Sequence, residues 1–217
     1  MGRQETSRYL ADLSMGFRRK KTYPVRSKGI LYLHVSKTGG TTIKNILWHE
    51  QGFRFLGHKR LTSRRPEEFL LTSVRNPYTR LHSLYTYSVS RRNCPFDRSI
   101  SFEEFACNYP VPLKTHASRH FPGVLLSATA QLNGFRPDYV VRFERIESDL
   151  RFLGKVLGIP ISMKHLNKNR GKPKFDIGEF TPAMIRRINE YFKEDFINFG
   201  YEMIDPDKHN QGDEQCS

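Results

Sequence analysis

Cysteine is scarce in this chain: Cys94, Cys107 and Cys216 are the three among 217 residues. The odd count and the lack of metal-ligand spacing imply no disulfide framework and no metal cluster, and a reducing compartment is the simpler expectation. A single bridge between Cys94 and Cys107 stays open. No apolar run approaches the length of a membrane span, and the first residues lack the apolar core of a signal peptide. The expectation is a cytoplasmic or otherwise soluble chain. No internal repeat is present. Acidic residues are few as well: 22 Asp and Glu stand against 36 Lys and Arg, giving a formal net charge of +14 and a pI near 9.9. Such a surface attracts polyanions, whether nucleic acid, anionic glycan, anionic membrane or a phosphorylated small molecule. The 16 Phe and 10 Tyr argue against disorder, and the length suits one domain with a full core.

The most informative stretch is Ile30 to Leu47, ILYLHVSKTGGTTIKNIL. Ile30 to Val35 is short, apolar except for His34 and rich in β-formers, as in a strand covered on both faces. Ser36-Lys37-Thr38-Gly39-Gly40 then breaks the pattern. Adjacent glycines allow a sharp turn and a close approach to a ligand. Ile43, Ile46 and Leu47 follow at helical spacing, with the helix ending near Glu50. A helix that starts here aims unpaired N–H groups and its positive end back at the loop, which makes an anion site. Lys37 adds a cation, and Thr41 and Thr42 add hydroxyls. The loop is not the Gly-x4-Gly-Lys-Ser/Thr phosphate loop, because its lysine precedes the glycines. An ordinary ATPase or GTPase is therefore disfavoured.

A second unit of the same kind follows. Phe69 to Val74 reads as a strand, and RNPYTRLHSLY comes directly after it. Asn76 suits an N-cap and Pro77 a first helical turn. Arg75 sits at the strand end, where open α/β sheets place ligand groups. Ser83 lies two helical turns from Asn76 on the same side.

KTGGTT behind one strand and VRNPYTRLHSLY behind the next resemble the sulfotransferases that use PAPS (3′-phosphoadenosine 5′-phosphosulfate), in particular the carbohydrate or membrane-type branch. The resemblance extends more weakly through Tyr139 to Leu150 and to Phe196–Tyr201. It implies that Lys37, Thr38, Gly39, Gly40, Thr41 and Thr42 cradle the 5′ end of PAPS. It also implies that Arg75 and Ser83 hold the 3′-phosphate, and that Arg170 and Lys172 fold a late basic loop over it. A histidine or glutamate after the first unit is the base in such enzymes. His58 is the candidate, with Glu50 as runner-up; an imidazole of ordinary pKa suits base catalysis at neutral pH. The acceptor would be a hydroxyl, of a sugar or glycan, with His116, Arg119 and His120 as candidate contacts. Relatives often carry Gln in a Pro-Gln context here, and the sequence has no clear equivalent. No metal, no nucleic acid and no membrane span are expected.

The remaining elements read as follows. Residues 1–28 form a basic N-terminal extension, 29–204 the domain and 205–217 a polar tail. Further strands are expected at Phe53–Leu56 and Tyr139–Phe143. Helices are expected from Pro77 to about Ser90, after the Ser101 cap with Glu104 as its capping-box partner, from about Ser148 to Leu157, and after Thr181-Pro182. Residues 91–137 read as the least regular part. The fold expected is a three-layer, P-loop-like α/β domain with a short central parallel sheet flanked by helices. The rival functions are an ATP-dependent small-molecule kinase and a non-enzymatic polyanion-binding module.

Overall fold

Four short apolar runs build one parallel sheet. In the computed structural model, which describes residues 29–112, 114, 122–162 and 175–209, they are β1 (Ile30–Leu33), β2 (Phe53–Leu56), β3 (Phe69–Val74) and β4 (Tyr139–Arg142). The spatial order is β2-β1-β3-β4, with Ile30 level with both Phe53 and Phe69. Every residue of β1 and β3 is buried, so their alternate side chains are covered on both faces. β1 is shorter than its apolar run suggests. The Thr38 hydroxyl donates to the Val35 carbonyl at 2.7 Å, which turns the chain out of the ladder.

Among the described residues the chain divides into two compact units, one of residues 29–75 and 122–162, the other of 76–112, 114 and 175–209. The first contains the sheet. Its helices are α1 (Gly40–Leu47), α4 (Pro122–Leu125), α5 (Ala128–Leu132) and α6 (Ile146–Leu157). Ile43 and Leu47 of α1 and Leu150, Leu153 and Leu157 of α6 form one core with Ile30, Tyr32, Leu71 and Val141 of the sheet. α1 stops at Leu47, three residues earlier than the sequence suggests, in a turn closed by the Glu50 N–H on the Leu47 carbonyl. α6 starts two residues earlier than expected. A 3-10 turn, Phe143–Arg145, leads straight into it, so Phe143 leaves the strand. Buried Asp149 holds that entry, taking the Arg142 N–H at 2.8 Å and pairing with the Arg145 guanidinium at 3.2 Å. The helix ends at Leu157 as expected, with Gly158 at φ 66 as its C-cap.

The second unit is helical: α2 (Pro77–Val89), α3 (Phe102–Cys107), α7 (Pro182–Tyr191) and α8 (Lys193–Phe199). The expected N-caps are in place, though the Glu104 side chain does not return the bond to Ser101 N that a capping box needs. Asn76 accepts from Tyr78 N, Ser101 from Glu104 N, and Thr181 from Met184 N. Phe105, Tyr109, Phe180, Phe192 and Phe196 form its buried aromatic interior. Buried Arg80 pairs with Asp195 at 3.8 Å and lies over the Phe192 ring. Cys94 and Cys107 are both free thiols, so they do not form the bridge left open above. No helix among the described residues is long and apolar enough to cross a membrane.

Candidate active site

The order β2-β1-β3-β4 reverses direction between β1 and β3. In an open parallel sheet, the crevice beyond the carboxyl ends of such a strand pair is where ligands bind. The loop Ser36–Gly39 leaves β1 at this point, and Arg75 leaves β3 beside it. Arg75 Nη1 donates to the Lys37 carbonyl at 3.4 Å, so the two chains meet.

The loop is held by a directed chain of buried hydroxyls. Thr38 has one hydroxyl proton, and the Val35 carbonyl takes it. The Ser73 hydroxyl, 2.6 Å away, must then donate to Thr38, and the Tyr32 hydroxyl at 2.7 Å must donate to Ser73. Burial pushes the Tyr32 pKa upward, which keeps that donor protonated. On the other side, the Ser36 hydroxyl donates to the Val124 carbonyl of α4 at 2.8 Å. The loop is thus tied to β3 and α4, and Thr38 acts as part of the frame.

Two loop residues are left-handed: Lys37 at φ 64 and Gly39 at φ 82. That conformation strains a lysine by roughly 1–3 kcal/mol, a cost the surrounding bonds must offset. A Cβ at Gly39 would lie 2.8 Å from Ile146 Cδ1 and 3.2 Å from Phe143 Cδ2. At Gly40 a Cβ would overlap the His34 imidazole. Each glycine therefore has its own steric reason, and α1 can begin where it does only without side chains there. No side chain caps α1, and its first turn has no acid. Its positive end faces the loop, with Lys37 and Arg75 adding charge. Thr41 is exposed on the first turn, whereas Thr42 is buried.

His58 follows β2. Its Nδ1 lies 3.1 Å from the His34 carbonyl, which can only accept, so Nδ1 carries the hydrogen. In the neutral ring the lone pair is then on Nε2. The His34 and His58 rings lie 4.5 Å apart, and the His34 ring is also the one packed against Gly40. His58 is therefore one imidazole away from the head of α1. Desolvation first, then His58, Lys37 and Lys44, lower the pKa of His34 from 6.5 to about 3. It stays neutral at neutral pH.

The other sequence candidates are placed as follows. Glu50 lies beyond the last residue of α1, at the opposite end of that helix from the loop. Ser83 lies half-buried on α2, in the helical unit. His116, Arg119, His120, Arg170 and Lys172 fall outside the described residues. Sequence reasoning missed Phe143, whose ring carries the Arg75 guanidinium at 4.3 Å. Its place in the VVRFE run was the available signal. It also missed Gln131 of α5, fully buried, whose backbone carbonyl accepts from Leu61 N at 2.8 Å and whose side-chain Nε2 donates to the Leu126 carbonyl.

Two measurements check this geometry. Gly40→Ala should destabilise the chain by about 1–3 kcal/mol through overpacking. In a His34→Ala background the same change should cost far less, and equal costs in both backgrounds would contradict the contact. The second test is pH. The unfolded chain binds a proton at His34 near pH 6.5, and the folded chain only near 3. Stability tied to His34 is thus complete above pH 6.5 and drains as the pH falls towards 3. Denaturant melts across that window should show a shallower loss for His34→Gln than for the parent.

The sequence profile described as the sulfotransferase family, which comprises carbohydrate sulfotransferases, matches residues 23–202. The match covers both strand–loop–helix units and β4 with α6. No curated protein matches the sequence. With the profile spanning most of the chain, this protein belongs to the sulfotransferase family and is an enzyme of that family.

Proposed function

We propose that the chain transfers the sulfuryl group of PAPS to a hydroxyl of a carbohydrate. The observation that carries this reading is the convergence of Lys37, Arg75 and the uncapped end of α1 at the sheet's switch point. That donor set fits a bulky phosphate-bearing ligand: cations, backbone N–H groups and glycines that leave room for its approach. Family membership implies PAPS, and the +14 surface suits both an anionic nucleotide and an anionic glycan.

PAPS would supply the sulfuryl group on its 5′-phosphate. Lys37, the loop N–H groups and Thr41 would hold that end, together with the backbone of Thr38, Gly39, Gly40 and Thr42. Arg75 would take the 3′-phosphate, and Ser83, Arg170 and Lys172 keep the same role from the sequence resemblance. His58 would accept the acceptor's hydroxyl proton on Nε2 as the hydroxyl oxygen bonds to sulfur. The bond from sulfur to the phosphate oxygen breaks, and its electron pair stays on that oxygen. Lys37 and the positive end of α1 meet the charge gathering there. His34, being neutral, neither competes for the proton nor adds charge.

Thermal shift with 3′,5′-ADP, ADP and ATP tests the nucleotide. Strong stabilisation selective for 3′,5′-ADP is expected. An equal response to all three, or none, would overturn the reading, and an ATP preference would favour a kinase. For the base, His58→Ala should lower turnover by roughly two to four orders of magnitude with 3′,5′-ADP binding near that of the parent. The parent's ascending pH–rate limb in the histidine range should vanish. A variant that keeps that limb would move the base elsewhere.

A further inference from the structure

Phe143 touches both halves of the anion site. It stands where β4 gives way to the 3-10 turn, half-buried, and its ring lies under the Arg75 guanidinium at 4.3 Å. Its Cδ2 also sets how close the loop can come, 3.2 Å from where a Gly39 Cβ would be. The turn that carries Phe143 is pinned from behind. Asp149 accepts from Arg142 N on one side of it and pairs with Arg145 on the other, at 2.8 and 3.2 Å. Phe143 is thus a fixed surface and not a loose filler.

Stacking has a definite consequence for an arginine. A guanidinium is flat, and all its N–H donors lie in its plane. A ring beneath it attracts the cation through its negative face and takes none of those donors. The group is held at two points, by the ring at 4.3 Å and by Nη1 donating to the Lys37 carbonyl at 3.4 Å. A free arginine would have to lose its rotamer freedom when a phosphate arrives; here part of that ordering is already done.

We propose that Phe143 is a positioning residue that gives the site its selectivity for a nucleotide bearing a 3′-phosphate, by presenting Arg75 edge-on to that group. The proposal rests on the sulfotransferase reading above. It adds that selectivity is set from beneath Arg75, by a residue that need not touch the nucleotide.

The test compares Kd for 3′,5′-ADP and for 5′-AMP, by calorimetry on the full chain. In the parent, 3′,5′-ADP should bind more tightly. Phe143→Leu, which keeps apolar bulk against Gly39, should cut that preference about three- to tenfold, the size of a partly desolvated cation–π contact. Binding of 5′-AMP itself should change little. Phe143→Tyr should keep the preference. Pentafluorophenylalanine at position 143 keeps the shape and reverses the ring's charge distribution, so it should lower the preference even if the Leu variant folds poorly. Selectivity that is unchanged in the fluorinated variant would overturn the positioning role and leave the nucleotide reading standing. A parent with no preference for 3′,5′-ADP would overturn both.

Discussion

The imidazole of His34 fills the space that a side chain at position 40 would need. That contact decides where α1 begins. The helix must start on a glycine, close against the strand it follows, and so its positive end sits at the rim of the sheet. The same ring touches His58, so the place for an anion and the candidate base are separated by a single side chain. Had position 40 carried a methyl group, either the helix or His34 would have to move, and the distance between these two features would change with it. The hydroxyl chain Thr38, Ser73, Tyr32 fixes the loop against β3 from below, and Ser36 fixes it to α4. A left-handed Lys37 can persist in a frame tied down on both sides.

Electrostatics then point one way. Asn76, Ser101, Ser127 and Thr181 each place a side-chain oxygen over the start of a helix; α1 has no such cap and no acid in its first turn. An anion bound at the proposed site would meet Lys37, Arg75 and the uncapped end of α1, and a His34 that desolvation keeps neutral. These cations and the head of α1 gather positive charge at one end of the sheet. A multiply charged ligand that binds there would stabilise the folded chain by mass action, so folded stability and ligand binding should be coupled.

Much of this was legible in the sequence because it is local. Short apolar runs marked β1 to β4 to within a residue or two, and cap residues marked the starts of α2, α3 and α7. The anion loop was readable from KTGGTT, since two glycines before a helical period leave few other conformations. What escaped was either too short or too distant. α4 and α5, of four and five residues, are too brief to show a helical period, and residues 91–137 read as irregular for that reason. His34 looked like a strand residue, and its packing on Gly40 is a contact across a turn that no spacing rule reveals. Phe143 read as the end of a strand. Its position beneath Arg75 depends on β3 and β4 being neighbours, with 67 residues of chain between Arg75 and Phe143.

The central claim is that the head of α1, Lys37 and Arg75 form one nucleotide site at the β1–β3 switch point. A crystal structure of the chain with 3′,5′-ADP tests it most directly. The account predicts the 5′-phosphate on the N–H groups of the Lys37–Thr42 loop, the 3′-phosphate on the edge of the Arg75 guanidinium, and Nε2 of His58 facing the open side of the 5′ end. A nucleotide bound elsewhere, or bound at the loop with its 3′-phosphate away from Arg75, would contradict it.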